Sequence, residues 1–161
     1  MRLSRRTFGQ AVGTGMMLSA IASQGYDSGA AGSTPQEARR SVSSASAPRV
    51  AMLVYPNMIL LDLACPQTVF SIFGAEIHLV GKDASPVRTD VGIPVTPTTT
   101  LADCPTDLDL LFVPGGLGGT VALMDDDDVL GFLAARGANA GYVTSVCTGS
   151  LLLGAAGLLR G

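Results

Sequence analysis

The 161-residue sequence has few of the side chains from which nucleic-acid and metal sites are built. It contains no tryptophan, three tyrosines, five phenylalanines and one histidine. So few aromatic rings argue against a base-stacking platform for single-stranded nucleic acid. Of its three cysteines, no two have the spacing of a zinc-binding pair, which argues against a zinc site.

Charged residues are also scarce, and their signs are divided along the chain. Residues 1–49 contain six arginines and two acidic residues, whereas residues 50–161 contain four basic and eleven acidic residues. The second part therefore lacks the basic face that nucleic-acid binding requires. With 47% hydrophobic and 14% charged residues, the chain has the composition of a globular protein.

The N-terminal residues have the features of an export signal. Paired Arg5-Arg6 precede the apolar run Ala11 to Ala22, which is shorter than the roughly twenty residues of a membrane-spanning helix. The pattern resembles a twin-arginine signal. We predict a signal peptide over residues 1–32, cleaved after Ala22, a flexible linker over 33–48 and a domain over 49–161. The protein would then be periplasmic or extracellular; a misplaced start codon would instead leave it in the cytoplasm.

Short apolar runs alternate with helical stretches from residue 49 onward. Strands are predicted at Arg49–Tyr55, Glu76–Val80, Leu108–Val113 and Tyr142–Val146, with helices at Pro66–Phe73 and Val129–Arg136 and a hairpin within 81–100. This alternation predicts an α/β domain with a mostly parallel sheet. Ligand sites in such sheets lie beyond the carboxyl ends of the strands.

Cys147 follows the last predicted strand, and Thr148, Gly149 and an apolar helical run come after it. A thiol at such a strand-to-helix corner faces unpaired backbone N–H groups, which favour the thiolate that acts as a nucleophile. The arrangement is that of a nucleophile elbow with sulfur as the attacking atom. The alternative is that Cys147 is a buried small apolar residue.

Two further features follow other strands. Asp62, within an apolar run, is predicted in the loop after the first strand, either as a partly buried acid that exchanges protons with the thiol or substrate, or as the cap of the next helix. Gly115 and Gly116 follow the Leu108 strand, and their N–H groups could form an anion hole opposite Cys147, or simply an ordinary turn.

Three other features have local explanations. His78 alternates with apolar residues at mid-strand and is interpreted as a sheet residue, not as a base for the thiol. The acidic run Asp125–Asp128 is interpreted as a solvated helix start. Cys65, three residues after Asp62, is interpreted either as a packed small residue or, if it lay close to Cys147, as that residue's disulfide partner.

Four ordered motifs give the sequence a family resemblance: Leu61-Asp62-Leu63 with Pro66 and Val69-Phe70, Val113-Pro114-Gly115-Gly116, Val143 to Gly149, and Leu153 to Leu159. Together they resemble the ThiJ/PfpI (DJ-1/PfpI) superfamily, which is class I glutamine-amidotransferase-like, and most closely its isonitrile-hydratase-like branch. The resemblance implies a flavodoxin-like three-layer sandwich with a nucleophile elbow.

The resemblance also implies roles for individual residues. Cys147 matches the nucleophile, Asp62 its acidic partner and Thr148 the residue after the nucleophile, whereas Gly115 and Gly116 match the opposing backbone donors. The implied reaction adds water to an isonitrile, a small-molecule substrate, and yields an N-substituted formamide without a metal or an organic cofactor. The alternatives are a non-catalytic ligand-sensing domain and an inactive remnant.

The sequence departs from the family pattern in two places. Cys65 stands where this branch usually has glycine, on the segment that carries Asp62. The chain also stops at Gly161, where family domains continue, so we expect a domain truncated at its C-terminus. A homodimer is expected if the fold is complete.

Overall fold

A computed structural model describes residues 46–160 of the chain. The predicted signal peptide, residues 1–32, lies outside the described residues, as does the predicted linker apart from its last three residues. Among the described helices, none combines the length and apolar character needed to cross a membrane.

Strands and helices alternate through this part of the chain. Their order is β1 (Arg49–Leu53), α1 (Leu60–Ile72), β2 (Glu76–Gly81), β3 (Val87–Arg88), β4 (Pro94–Val95), β5 (Thr99–Thr100), β6 (Leu110–Val113), α2 (Leu117–Leu123), α3 (Asp127–Gly137), β7 (Tyr142–Ser145) and α4 (Gly149–Ala155).

The main sheet has the strand order β5-β2-β1-β6-β7, and every neighbouring pair in it is parallel. Its central strand β1 is a continuous apolar run because helices cover both faces of such a sheet, and Val50 to Leu53 are at most 2% exposed. The predicted flavodoxin-like α/β fold with a mostly parallel sheet is confirmed. The predicted hairpin is also present, as the separate antiparallel pair β3–β4.

Helices pack on the sheet through a shared apolar core. Phe70 of α1 meets Phe112 of β6 edge to face, with ring centroids 6.2 Å apart. The buried side chains of α3 and α4 belong to the same cluster as the strands: Val129, Phe132, Leu133, Leu152 and Leu153. This core holds the carboxyl ends of the strands in place.

Some element boundaries differ from the sequence prediction. Helix α1 begins at Leu60, six residues before the predicted start, with Pro66 inside it. Helix α2 is present where no element was predicted, and β5, at the end of the predicted hairpin segment, pairs with β2 of the main sheet. Helix α2 directly follows the Gly115-Gly116 segment and contains Gly118 and Gly119; Gly119 and Thr120 are buried in it.

The direction in which successive strands are added to the sheet reverses at β1. From β1 the chain proceeds outward to β2 on one side, and later returns to place β6 on the other. In open α/β sheets, the crevice at the carboxyl ends of such strands is the usual ligand site. The segments that follow β1, β6 and β7 all meet at this edge.

Candidate functional site

Cys147 lies at the corner between β7 and α4. Its φ angle is 50°, in the left-handed region that non-glycine residues rarely adopt, and its side chain is exposed. Backbone strain of this kind costs about 1–3 kcal/mol and concentrates at functional sites. The predicted strand-to-helix corner is therefore present with Cys147 at it, and the alternative of a buried cysteine is wrong. The role of Cys147 as nucleophile remains a prediction.

Helix α4 starts very close to the end of β6. A Cβ added to Gly149 would collide with the carbonyl oxygens of Val113 and Pro114, so only glycine permits this approach. Within residues 46–160, the N–H groups of Cys147 and Thr148 donate to no protein acceptor. These two groups are therefore available to a negatively charged atom held beside the sulfur.

The sequence predicted Asp62 in a loop, but the structure has it in the first turn of α1. The helix begins early because other segments satisfy its first N–H groups: Leu60 N–H donates to Asp90 Oδ1 (2.9 Å), and Ile59 N–H donates to the Gly115 carbonyl (2.8 Å). The cap is therefore supplied by Asp90, and the alternative role of Asp62 as the helix cap is wrong.

Asp90 belongs to the loop between β3 and β4, and this hairpin is bonded to the segment that leads into α1. Asn57 N–H donates to the Arg88 carbonyl (2.7 Å), and Asp90 N–H donates to the Met58 carbonyl (2.9 Å). Together with the Asp90 cap, these bonds fix where the first turn of α1 starts. They therefore also fix the position of Asp62.

The carboxylate of Asp62 and the thiol of Cys147 both lie close to Gly115. A Cβ built on Gly115 would be 2.7 Å from Asp62 Oδ2 and 3.0 Å from Cys147 Sγ. The two atoms are thus no farther from each other than the sum of these distances, and one small molecule can touch both. The backbone completes the arrangement, because Gly115 N–H donates to Asp62 Oδ2 (3.2 Å).

The other predicted donor, Gly116, also has a protein acceptor. Its N–H donates to Thr148 Oγ1 at 3.1 Å. Both glycine N–H groups are thus bonded to side chains of the candidate site, and their predicted part in an anion hole remains a prediction. In the structure they connect the loop after β6 to Asp62 on one side and to the elbow on the other.

Tyr55 and Thr120 are two residues of this region that sequence reasoning missed. The Tyr55 hydroxyl donates to the Pro114 carbonyl (2.8 Å) and lies 3.1 Å from Thr120 Oγ1, which in turn is 3.0 Å from Thr148 Oγ1. Burial, with smaller contributions from the charges of Asp62 and Cys147, raises the pKa of Tyr55 to about 12. A buried tyrosine at a strand's carboxyl end was the available signal, because its hydroxyl needs a partner.

The remaining titratable side chains lie elsewhere. His78 is at mid-strand in β2, as predicted, with Nε2 3.3 Å from Glu76 Oε1. Asp126 begins α3 by accepting from two backbone N–H groups, and Lys82 binds it at 2.7 Å. Cys65, Cys104 and Cys147 are all free, and no cluster of metal-ligating side chains occurs among the described residues.

A cavity of about 530 Å³ is lined in part by Tyr55. Its lining includes apolar residues of β1 and α3 and the charged side chains of Lys82, Arg88 and Asp126. Cys147 and Asp62 do not line it. The side chains of Cys147 and Asp62 therefore lie outside this cavity.

Comparisons with known proteins identify relatives of this chain. Isonitrile hydratase from Pseudomonas putida is 48% identical over 114 residues, which are 70% of this chain and 49% of that protein. An uncharacterized protein encoded in the cpoL 5′ region of Streptomyces lividans is 46% identical over 121 residues, 70% of this chain and 82% of that protein.

Solved structures show the same fold. A ThiJ/PfpI family protein from Pseudomonas syringae superposes with a TM-score of 0.70 at 50% identity, covering 72% of this chain and 48% of that one. Thus the chain spans about half the length of the two Pseudomonas proteins. The family model for the DJ-1/PfpI family matches residues 48–161. The chain is a member of the DJ-1/PfpI family.

Proposed function

We propose that this chain is an isonitrile-hydratase-like lyase with Cys147 as its nucleophile. The observation that carries the proposal is that the Cys147 thiol and the Asp62 carboxylate both lie within 3.0 Å of the point where a Gly115 Cβ would stand. A nucleophile and a proton carrier that touch the same small molecule are what this hydration requires. The 48% identity to an isonitrile hydratase supports the choice of substrate class.

The reaction divides into three balanced steps. The Cys147 thiolate attacks the terminal isonitrile carbon, and that carbon takes a proton from Asp62, which gives a thioformimidate with a new C–S bond. Water then adds its oxygen to the carbon and a proton to the nitrogen. Finally the C–S bond breaks, the thiolate leaves, and the hydroxyl proton returns to Asp62 as the N-substituted formamide is released.

The free N–H groups of Cys147 and Thr148 have a defined use in these steps. Negative charge lies on the Cys147 sulfur at the start. It develops on the nitrogen and oxygen of the adduct as the nitrogen gains its proton and the hydroxyl loses its own. Donors that are already oriented stabilise such charge without reorganisation. In subtilisin-type oxyanion holes, one donor contributes about 10²–10³-fold in rate.

The test is hydration of a simple alkyl isonitrile by the full chain under reducing conditions, with the formamide product quantified by NMR. Cys147→Ala should abolish turnover. Cys65→Ala is the matched control, because it also removes an exposed thiol but leaves the elbow intact, and it should retain the wild-type rate. Turnover that survives Cys147→Ala would refute the proposal, and binding without turnover would instead identify a ligand-sensing domain.

Two further proposals concern the cellular context. We propose export by the twin-arginine route, which predicts that replacing Arg5 and Arg6 by lysine retains the protein in the cytoplasm.

We also propose a homodimer, supported by the exposed apolar side chains along α1: Leu61, Val69 and Ile72 are 67%, 48% and 77% exposed. Sedimentation that shows only a monomer at all concentrations would refute the dimer.

A further inference from the structure

Four oxygen atoms form a continuous chain of hydrogen bonds beside the elbow. It runs from Thr148 Oγ1 to Thr120 Oγ1, from there to the Tyr55 hydroxyl, and ends at the carbonyl oxygen of Pro114, with separations of 3.0, 3.1 and 2.8 Å. Tyr55 and Thr120 are almost fully buried, at 3% and 0% exposure. Water therefore does not compete for these hydroxyl groups.

The direction of this hydroxyl chain follows from the number of protons in it. A carbonyl oxygen only accepts, so Tyr55 must donate its single hydroxyl proton to Pro114. Thr120 must then donate to Tyr55, because the phenolic oxygen has no second proton to give. Thr148 must in turn donate to Thr120 for the same reason.

Thr148 is thereby left with a particular hydrogen-bonding capacity. Its proton points to Thr120, and one of its lone pairs accepts from Gly116 N–H at 3.1 Å. A hydroxyl oxygen has two lone pairs, so one acceptor position remains and no donor. Thr148 directly follows the nucleophile, and its partly buried side chain lies between the elbow and the glycine loop.

We propose that Tyr55 and Thr120 are positioning residues that make Thr148 an obligate hydrogen-bond acceptor in the reaction crevice. This inference rests on the proposed hydration of isonitriles. An isonitrile group has no hydrogen-bond donor, whereas the adduct formed by water carries both an N–H and an O–H. Thr148 thus bonds to the adduct and the transition states that flank it, but not to the free substrate.

An interaction made only after the ground state affects kcat and leaves KM unchanged. In Tyr55→Phe, Thr120 loses its acceptor and can turn its proton toward Thr148, which then presents a donor in place of a lone pair. We expect kcat to fall about tenfold, the effect of one hydrogen bond, with KM unchanged. Thr120→Val should behave similarly, and Thr120→Ser, which restores the hydroxyl, should recover the wild-type kcat.

A double-mutant cycle separates this role from a merely structural one. Tyr55→Phe should lower kcat in the wild-type background but not in the Thr148→Val background, where no hydroxyl is left to orient. Tyr142→Phe removes an exposed tyrosine hydroxyl from β7 and is the matched control, expected to leave kcat unchanged. An equal loss in both backgrounds, or an unchanged kcat in Tyr55→Phe, would overturn the proposal.

The hydroxyl chain can be tested without activity, which separates its failure from that of the proposed function. Tyr55 and Thr148 share no direct hydrogen bond, so their effects on the folding equilibrium should be non-additive only if Thr120 couples them. Urea unfolding of the full chain carrying the single and double substitutions measures this coupling. If the wild-type protein does not hydrate isonitriles but the coupling is present, the proposed function fails and the hydroxyl chain stands. Additive effects on stability would overturn the hydroxyl chain.

Discussion

Alanine at Gly115 tests whether the close approach of acid and thiol is the working arrangement. The added Cβ would lie 2.6 Å from Cys147 Cβ and 2.7 Å from Asp62 Oδ2. Carbon atoms pack at about 3.5–4.0 Å, so the elbow and the carboxylate would have to separate by about 1 Å. A displacement of that size costs about 10²-fold in rate, which is the loss of kcat/KM that we expect.

The same substitution should also destabilise the fold, since overpacking of a buried site costs about 1–3 kcal/mol. Gly118→Ala is the matched control: it lies in the same glycine cluster, in α2, and an added Cβ there meets nothing within 4 Å. A helical glycine replaced by alanine gains up to about 1 kcal/mol. The control should therefore be at least as stable as the wild type and equally active.

Three measurements decide the outcome for Gly115→Ala. Urea unfolding gives the change in stability, steady-state hydration of an isonitrile gives kcat/KM, and alkylation of Cys147 by iodoacetamide reports on the thiol itself. A folded Gly115→Ala variant that turns over isonitrile as fast as Gly118→Ala would refute the reasoning. It would mean that the contacts around Gly115 do not determine how the thiol and the acid meet.

Three further predictions follow from the structure. Asp62→Asn should lower kcat about 10²–10⁴-fold, as loss of a general acid does, while the fold persists because the amide oxygen can still accept from Gly115 N–H; steady-state kinetics and urea unfolding measure both. Folding raises the pKa of Tyr55 from 10.0 to about 12, so the protonated hydroxyl stabilises the fold fully below pH 10.0, and this stabilisation is lost as pH rises through about 12. The free energy of unfolding, measured against pH, should therefore fall by about 2–3 kcal/mol over this range, and Tyr55→Phe should lack this loss. The hydrogen bond from Lys82 lowers the pKa of Asp126 below 3.8, so the ionised carboxylate stabilises the fold fully above that pH, and this stabilisation is lost as pH falls through the folded-state pKa. Asp126→Ala should lose about 0.5–2 kcal/mol of helix capping at neutral pH, and thermal melts should show that its stability then falls less than that of the wild type on acidification.

The elbow could be predicted from sequence because its causes are local. A β-branched strand, a cysteine, a small residue and a glycine before an apolar helix together define one turn, and the structure has Cys147 at that turn. The meeting of Asp62, Gly115 and Cys147 could also be expected, because the carboxyl ends of neighbouring parallel strands share one edge.

The start of α1 could not be predicted in the same way because its cause is distant in the chain. The side chain that satisfies Leu60 N–H belongs to Asp90, thirty residues later. From sequence, Pro66 was the natural first residue of the helix, since proline is favoured at that position. The hydroxyl chain from Thr148 to Tyr55 is equally non-local, because its three side chains come from separate segments.

The bonds between the β3–β4 hairpin and the start of α1 let the hairpin influence the proposed reaction indirectly, through the position of Asp62. Substitutions there, at residues that never meet substrate, could shift the acid by fractions of an ångström and so alter turnover while every reacting group stays the same. Within such a scaffold, relatives with identical reactive side chains can diverge in rate through their hairpins alone. A survey of activity in this lineage should therefore compare residues 87–95 as closely as the nucleophile.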